Sequence, residues 1–372
     1  MTTSGVTAQQ RATARPFGPG HCGPIDPSYI SVSSATGGQV LPIGPNEIAA
    51  AAPLLSASSG TETLLWLTSS LSASGRILRV PVDGVTSRVS FIASTDNALT
   101  DMVVLDPAGM PVGGGVAGVE ALTFGCVRAM AVTRPMAGEW TVRLHGTGTF
   151  WLVAHAKTDL AIEDAAFVHV AGRPGHEGLF TIQGQPMADR PATLQVRLTR
   201  EDIRTATFDL VSVNGTSLAA ASLSPVTNDA DEHEYTGTLA SLPTTPFRVR
   251  VTGRDRTGAM YQRVSGNTFH AATVEIAAPD SATLARGRRT AMVFTITNSG
   301  APARFQIRAV ANATVTPVEP SLVTLGTGET RRVTAWVTAP ATGTQTSEDI
   351  VITAEGGSEA ASNSAIVHAT IE

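Results

Sequence analysis

Between Gly138 and Leu144 the chain alternates cleanly. Trp140, Val142 and Leu144 fall on one side of an extended backbone, and Thr141 and Arg143 on the other. A period of two marks a strand with one buried face. About thirty residues earlier, Asp106-Pro107-Ala108-Gly109 closes the apolar run Met102-Val103-Val104-Leu105. Pro107 fixes φ and Gly109 tolerates positive φ, so the chain turns there. This strand-and-turn pattern recurs to the C-terminus. It predicts a mainly β protein with no helix longer than about fifteen residues beyond Glu62, since the 3.6-residue period of such a helix is missing.

The pattern divides the chain into blocks. Residues 1–26, rich in Gly, Pro, Thr and Arg, read as a disordered leader. In 27–60, Asp26-Pro27-Ser28-Tyr29 caps a short helix through Ala35, with Pro27 at its first position. Thr36-Gly37-Gly38 ends that helix, 39–43 is a short strand, and Pro45-Asn46-Glu47-Ile48 opens a second helix toward Leu55. Over 61–163 the expected strands are 64–67, 76–82, 101–105, 127–132, 139–144 and 149–156, with Val89, Phe91 and Ala93 alternating against polar neighbours. That density of strands suits a β-sandwich, and the block resembles the galactose-binding-like type. Residues 164–271 and 272–372 read as immunoglobulin-like sandwiches without an inter-sheet disulfide. In the first of these, Phe247, Val249 and Val251 face inward, Arg248 and Arg250 face outward, and Asp255 to Gly258 turns into Met260-Tyr261-Gln262-Arg263-Val264. The fold class is therefore tandem β-sandwiches after a short α/β remnant.

Composition narrows the possibilities. The 372 residues are 42% hydrophobic and only 15% charged, so cores can form, and 5% aromatic content leaves them to Val, Ile, Leu and Ala. A net charge of −5 and the lack of any Lys/Arg-rich block argue against nucleic acid as a partner. Lys157 stands alone against 25 arginines, which points to a GC-rich, bacterial source. Cys22 and Cys126 are too few for a disulfide scaffold. They either form one bridge around a loop of about 100 residues, worth about 4–5 kcal/mol in the chain-entropy model, or stay unpaired. No apolar run approaches the ~20 residues of a membrane span. The segment from Met1 to Pro19 is polar and carries no signal-peptide core. The protein therefore stays inside the cell, or this chain is part of a longer secreted one.

Several segments together resemble a known arrangement. Asp26-Pro27-Ser28-Tyr29 followed by Ala35-Thr36-Gly37-Gly38-Gln39-Val40 is similar to the closing helix and last strand of a von Willebrand factor A domain. Asp106-Pro107-Ala108-Gly109 with Ala137-Gly138-Glu139-Trp140-Thr141-Val142 resembles the segment that follows that domain in hemicentin-type proteins. Pro191-Ala192 to Leu198, Phe247 to Asp255 and Tyr261-Gln262-Arg263-Val264-Ser265 resemble the next hemicentin segment in order and spacing. The likeness runs from about Asp26 to Phe269, and the C-terminal block resembles bacterial immunoglobulin-like modules. The resemblance implies an extracellular, secreted or cell-surface protein of adhesion or structural type. An A domain grips its metal with an Asp-x-Ser-x-Ser loop after its first strand. No such loop is present, so no metal-binding residue is carried over.

Candidate chemistry is sparse. No Gly-x-Ser-x-Gly elbow, His-Glu-x-x-His, P-loop or Cys-x-x-Cys occurs. His21, His145, His155, His169, His176, His233, His270 and His368 are scattered and read as surface or strand-edge residues. Asn228-Asp229-Ala230-Asp231-Glu232-His233-Glu234 has the oxygens that calcium wants but no EF-hand spacing, and reads as a solvated hairpin loop. Asp96, Asp101 and Asp106 form a weaker calcium candidate. Trp66, Trp140, Trp151 and Trp336 all lie in apolar strand patterns and read as core, though an exposed Trp would stack on sugar. Asn214-Gly215-Thr216 and Asn312-Ala313-Thr314 are glycosylation sequons. The expectation is a non-enzymatic extracellular stalk with no cofactor and no catalytic residue, meeting a protein or glycan ligand. The alternatives are accessory β-domains of a secreted hydrolase, or a carbohydrate- or calcium-binding module built on the first sandwich.

Overall fold

The computed structural model describes residues 22, 25–36, 38–44, 47, 48, 51, 61–173, 175–199, 203–226, 233–279, 281–315 and 317–372. The fold is mainly β. Most of the leader, most of the second expected helix and the 228–232 part of the acidic loop lie outside the described residues. Beyond Glu62 the described residues form no helix. Contacts divide the chain into two compact units: 1–163 with 198–217 and 248–268, and 164–197 with 218–247 and 269–372. The block expected at 164–271 thus contributes strands to both.

In the first unit, helix α1 (Pro27–Thr36) starts as the sequence suggests. The Asp26 carboxylate accepts hydrogen bonds from the Ser28 amide at 2.9 Å and the Ser28 hydroxyl at 2.5 Å, and these bonds lower its pKa. Eight strands follow: β1 (Glu62–Leu71), β2 (Arg76–Val82), β3 (Arg88–Thr95), β4 (Ala98–Leu105), β5 (Pro111–Val112), β6 (Val119–Thr123), β7 (Val127–Thr133) and β8 (Gly138–Lys157). The two strands expected at 139–144 and 149–156 are one. The first half of β8 pairs with β2 and β4, and its second half with β1 and β3. The strand crosses between the sheets at Gly146 and Gly148, where φ is +157° and +101°. A Cβ on Gly146 would lie 2.1 Å from the Ala98 carbonyl oxygen, so only glycine fits this corner. Val80, Phe91, Val104, Trp140, Leu144 and Phe150 fill the core between the sheets. The Phe91 and Trp140 rings pack 5.8 Å apart.

The alternation expected on β3 is incomplete, because Ser90, Ile92 and Ser94 are buried as well. The outer face of this sheet is covered. Ala51, Leu41 and Ile43 pack on Ile92, Phe124, Val127 and Ala129. Residues 39–43 do not join a ladder as a strand. They lie along β3, fixed by Gln39 Nε2 donating to the Ile92 carbonyl at 2.8 Å and Ser94 Oγ donating to the Val40 carbonyl at 2.5 Å. Glu47 caps its own turn at the Gly44 amide and also accepts from the Gly125 amide at 3.1 Å. Cys22 and Cys126 are bridged, with Cα atoms 5.7 Å apart. Residues 39–43, Glu47 and Ala51 of the segment that reads as an α/β remnant thus cover this face of the first sandwich.

The middle block holds β9 (Ile162–Arg173), β10 (His176–Thr181), β11 (Ala192–Leu198), β12 (Ile203–Ser212), β13 (Ser217–Ala221), β14 (Ser224–Pro225), β15 (Glu234–Leu239), β16 (Phe247–Asp255) and β17 (Met260–Val264). One sheet runs β10-β9-β11-β15-β14, and in another β12, β16 and β17 are neighbours.

The C-terminal strands are β18 (Val274–Ala277), β19 (Ala282–Leu284), β20 (Arg289–Asn298), β21 (Ala303–Val310), β22 (Thr314–Val315), β23 (Leu322–Leu325), β24 (Thr330–Thr338), β25 (Ser347–Glu355) and β26 (Ser362–Ile371). They form two sheets, β18-β20-β24-β22 and β19-β26-β25-β21-β23, around one core that includes Phe294, Phe305, Val333 and Ile350. Within the second unit, the loop after β10 is bonded to this sandwich. The Gln185 amide donates to Asn363 Oδ1 at 2.8 Å, the His270 amide donates to Gln185 Oε1 at 3.0 Å, and Arg190 pairs with Glu275 at 2.8 Å.

Candidate functional site

A buried polar constellation lies inside the first unit, where β16 and β17 meet the first sandwich. β17 has no solvated face along Tyr261–Val264. Its Arg263 is fully buried and ion-pairs with the equally buried Asp83 at 2.5 Å. Other donors of the guanidinium are also used: Nε donates to the Leu160 carbonyl and Nη1 to the Gln262 carbonyl, each at 2.7 Å. Asp83 Oδ1 accepts from Thr86 Oγ1 at 2.8 Å and from the Val85 amide at 3.1 Å. A buried ion pair is tolerable when its remaining hydrogen-bonding sites are filled in this way. Nearby, burial pushes the Glu62 carboxyl up, while the charge of Arg263 pulls it down.

Arg248, 1% exposed, is expected on a solvated face and is buried instead. Its guanidinium lies 3.9 Å from the Trp66 ring centroid, and burial pushes its pKa down to about 10. A desolvated cation–π contact of this kind is worth about 2 kcal/mol. The Trp66 indole N–H donates to the Gly38 carbonyl at 2.7 Å, so the ring is held between the covering segment and Arg248. Gln262 Nε2 donates to the Leu64 carbonyl at 2.7 Å, and the Gly84 amide donates to the buried Asp255 carboxylate at 2.7 Å. Asp83 and Arg263 bind each other, Arg248 packs on Trp66, and Gln262 and Asp255 bind backbone groups, which together fasten β16 and β17 to the first sandwich.

The residues singled out in the sequence land apart. Asp96 accepts from the Thr149 amide at 2.7 Å beside the Gly148 corner, Asp106 caps its own turn through the Ala108 and Met110 amides, and Asp101 sits by Arg128. Among the described residues no group of three or more His, Cys, Asp and Glu could hold a metal ion. His155 lies on the covered face of β8, opposite Ser90, and burial pushes its pKa down to about 4. His270 hydrogen-bonds the Ser362 carbonyl at 3.0 Å, and His368 meets Asp349 at 2.6 Å in solvent. Trp66, Trp140 and Trp151 are buried. Trp336 departs from the expectation of core packing. Val333, Ala335 and Val337 take the core positions of β24, which turns Trp336 outward.

Residues 273–372 match a family described as the VWA7 Ig-like domain. The C-terminal sandwich is thus an immunoglobulin-like domain of a type associated with von Willebrand A proteins. No curated protein matches the chain. Among solved structures, a DUF4785 family protein from Legionella pneumophila is similar over 80% of this chain and 85% of its own, at 11% identity and TM-score 0.34. A Bacillus licheniformis lipase, BlEst2 in propeptide form, covers 55% of this chain and 42% of its own, at 10% identity and TM-score 0.26. Salmonella alpha-2-macroglobulin reacted with methylamine covers 84% and 23%, at 13% identity and TM-score 0.25. No helix among the described residues is long and apolar enough to cross a membrane.

Proposed function

We propose that this chain is a non-enzymatic extracellular segment of adhesion or structural type, the stalk that follows an A domain in a larger, hemicentin-like bacterial protein. In this reading 27–60 is the end of the A domain, and the strands from 61 to 372 make up the stalk that follows it. One observation carries it: the buried charges of the first unit are engaged within the fold, Asp83 with Arg263, Arg248 on the Trp66 ring and Asp255 by the Gly84 amide. A hydrolase holds its base and nucleophile where substrate can reach them. A spacing element instead benefits from joints that resist bending, and a buried, fully bonded charge pair such as Asp83–Arg263 makes such a joint specific. The match of 273–372 to an immunoglobulin-like domain of A-domain proteins supports the same placement.

The test is retention without turnover. Beads coated with the purified chain should be held by extracellular material of the source organism, and the chain should show no esterase, glycosidase or peptidase turnover. Turnover abolished by changing a single histidine or serine would contradict the reading.

A further inference from the structure

The outer face of the β18-β20-β24-β22 sheet is built differently from the faces that pack. Alternation sends Phe294, Ile296, Val333 and Val337 into the core. It sends Arg289, Val293, Thr295, Arg332, Thr334 and Trp336 outward. The register sets Ala291 opposite Trp336, Val293 opposite Thr334 and Thr295 opposite Arg332. Directly paired residues share a face, so these side chains form one surface across two central strands. The Arg289 guanidinium lies 4.3 Å from the Trp336 ring centroid, and Val293 beside them is 49% exposed. Neither Arg289 nor Arg332 has a carboxylate within ion-pair distance among the described residues. Glu275, at the far edge opposite Thr297, is engaged by Arg190, and Glu319 flanks β24 through its backbone bridge to Thr334.

We infer that this face binds a polyanionic glycan, a sugar chain carrying carboxylate or sulfate groups. A sugar ring has an apolar C–H face and a rim of hydroxyls. Val293, Ala291 and the indole edge of Trp336 suit the first, and the hydroxyls of Thr295, Thr334 and Thr338 suit the second. The two arginines supply forked donors for carboxylate or sulfate. Stacking on Trp336 holds the Arg289 fork in place before a ligand arrives, which limits the ordering cost of binding. An acidic polypeptide would also meet the arginines, but the row of threonine hydroxyls around an indole offers it nothing that a sugar would not use better. The inference names a ligand class for the adhesion reading. Its test uses the purified chain alone, so that either can fail without the other.

The full chain should be immobilised and exposed to alginate, dextran sulfate, neutral dextran and poly-glutamate. Alginate or dextran sulfate should bind, more weakly as salt rises, and neutral dextran should not. Arg289→Glu and Trp336→Ala should each weaken binding by about tenfold or more. Both positions lie outside the core, so both variants should keep the parent circular dichroism. Arg289→Glu carries the test alone if Trp336→Ala does not fold. Arg308→Ala, on the outer face of the other sheet, should bind like the parent. Equal binding of neutral dextran, no binding of either anionic glycan, or indifference to Arg289→Glu would overturn the inference. Tighter binding of poly-glutamate would transfer the face to an acidic protein.

Discussion

Asp83 and Arg263 stand 180 residues apart in sequence and 2.5 Å apart in space, with both side chains fully buried. The pair fastens the turn after β2 to strand β17, and Arg248 on Trp66 fastens the neighbouring strand in the same unit. A hydrophobic contact of the same area would tolerate sliding. Two charges with filled hydrogen-bonding sites do not, because any slip leaves a charge unpaired in a dry site.

Breaking that pair from one side should therefore be costly. Asp83→Ala and Arg263→Met should each destabilise the protein by about 3–5 kcal/mol. The double variant should lose clearly less than the sum, since it removes both charges. Urea unfolding of the three variants measures this. Single variants within about 0.5 kcal/mol of the parent would show that the joint carries no strain-resisting pair.

Acid should weaken the fold through His155. Burial lowers its pKa from 6.5 to about 4, so the folded protein holds the ring neutral where the unfolded chain would protonate it. Stability from this group is complete above about pH 6.5, falls as pH drops, and is lost below about pH 4, a total of about 3 kcal/mol. His155→Gln should flatten that acid limb whatever it does to stability at neutral pH. An identical pH profile in the variant would contradict the assignment.

Trp140 is a core residue whose indole N–H also donates to the Met136 carbonyl at 2.9 Å. Trp140→Ala should cost about 3–5 kcal/mol, from lost burial and the cavity left behind. Thermal melting checks it, and a variant that melts with the parent would place the ring outside the core.

The Cys22–Cys126 bridge closes a long loop and pins the covering segment. Non-reducing peptide mapping should recover the two cysteine peptides joined. Reduction should lower stability by about 4–5 kcal/mol in the chain-entropy model and open residues 38–44 to proteolysis. Two titratable thiols in the native protein would refute the bridge.

Much of the strand layout is legible in the sequence, because alternation reports which side of a strand faces a core. The phase of Trp140, Val142 and Leu144 is an example. The phase of Val333, Ala335 and Val337 carries the same information for Trp336, and reading its apolar neighbourhood instead of its phase places it wrongly. Alternation is silent on what covers the other side. Ser90 and Ser94 look solvated until residues 38–44 lie over them, and Arg248 and Arg263 look solvated until Trp66 and Asp83 are brought beside them. The joint depends on partners remote in sequence, and no local pattern names them. Gly146-Thr147-Gly148 lies between the strands expected at 139–144 and 149–156, but the ladders on both sides continue through it.

If this chain works outside the cell as a stalk, an antibody raised against residues 273–372 should label intact cells of the source organism without permeabilisation, and brief surface proteolysis should remove the label. Labelling seen only after the cells are opened would rule out an extracellular stalk.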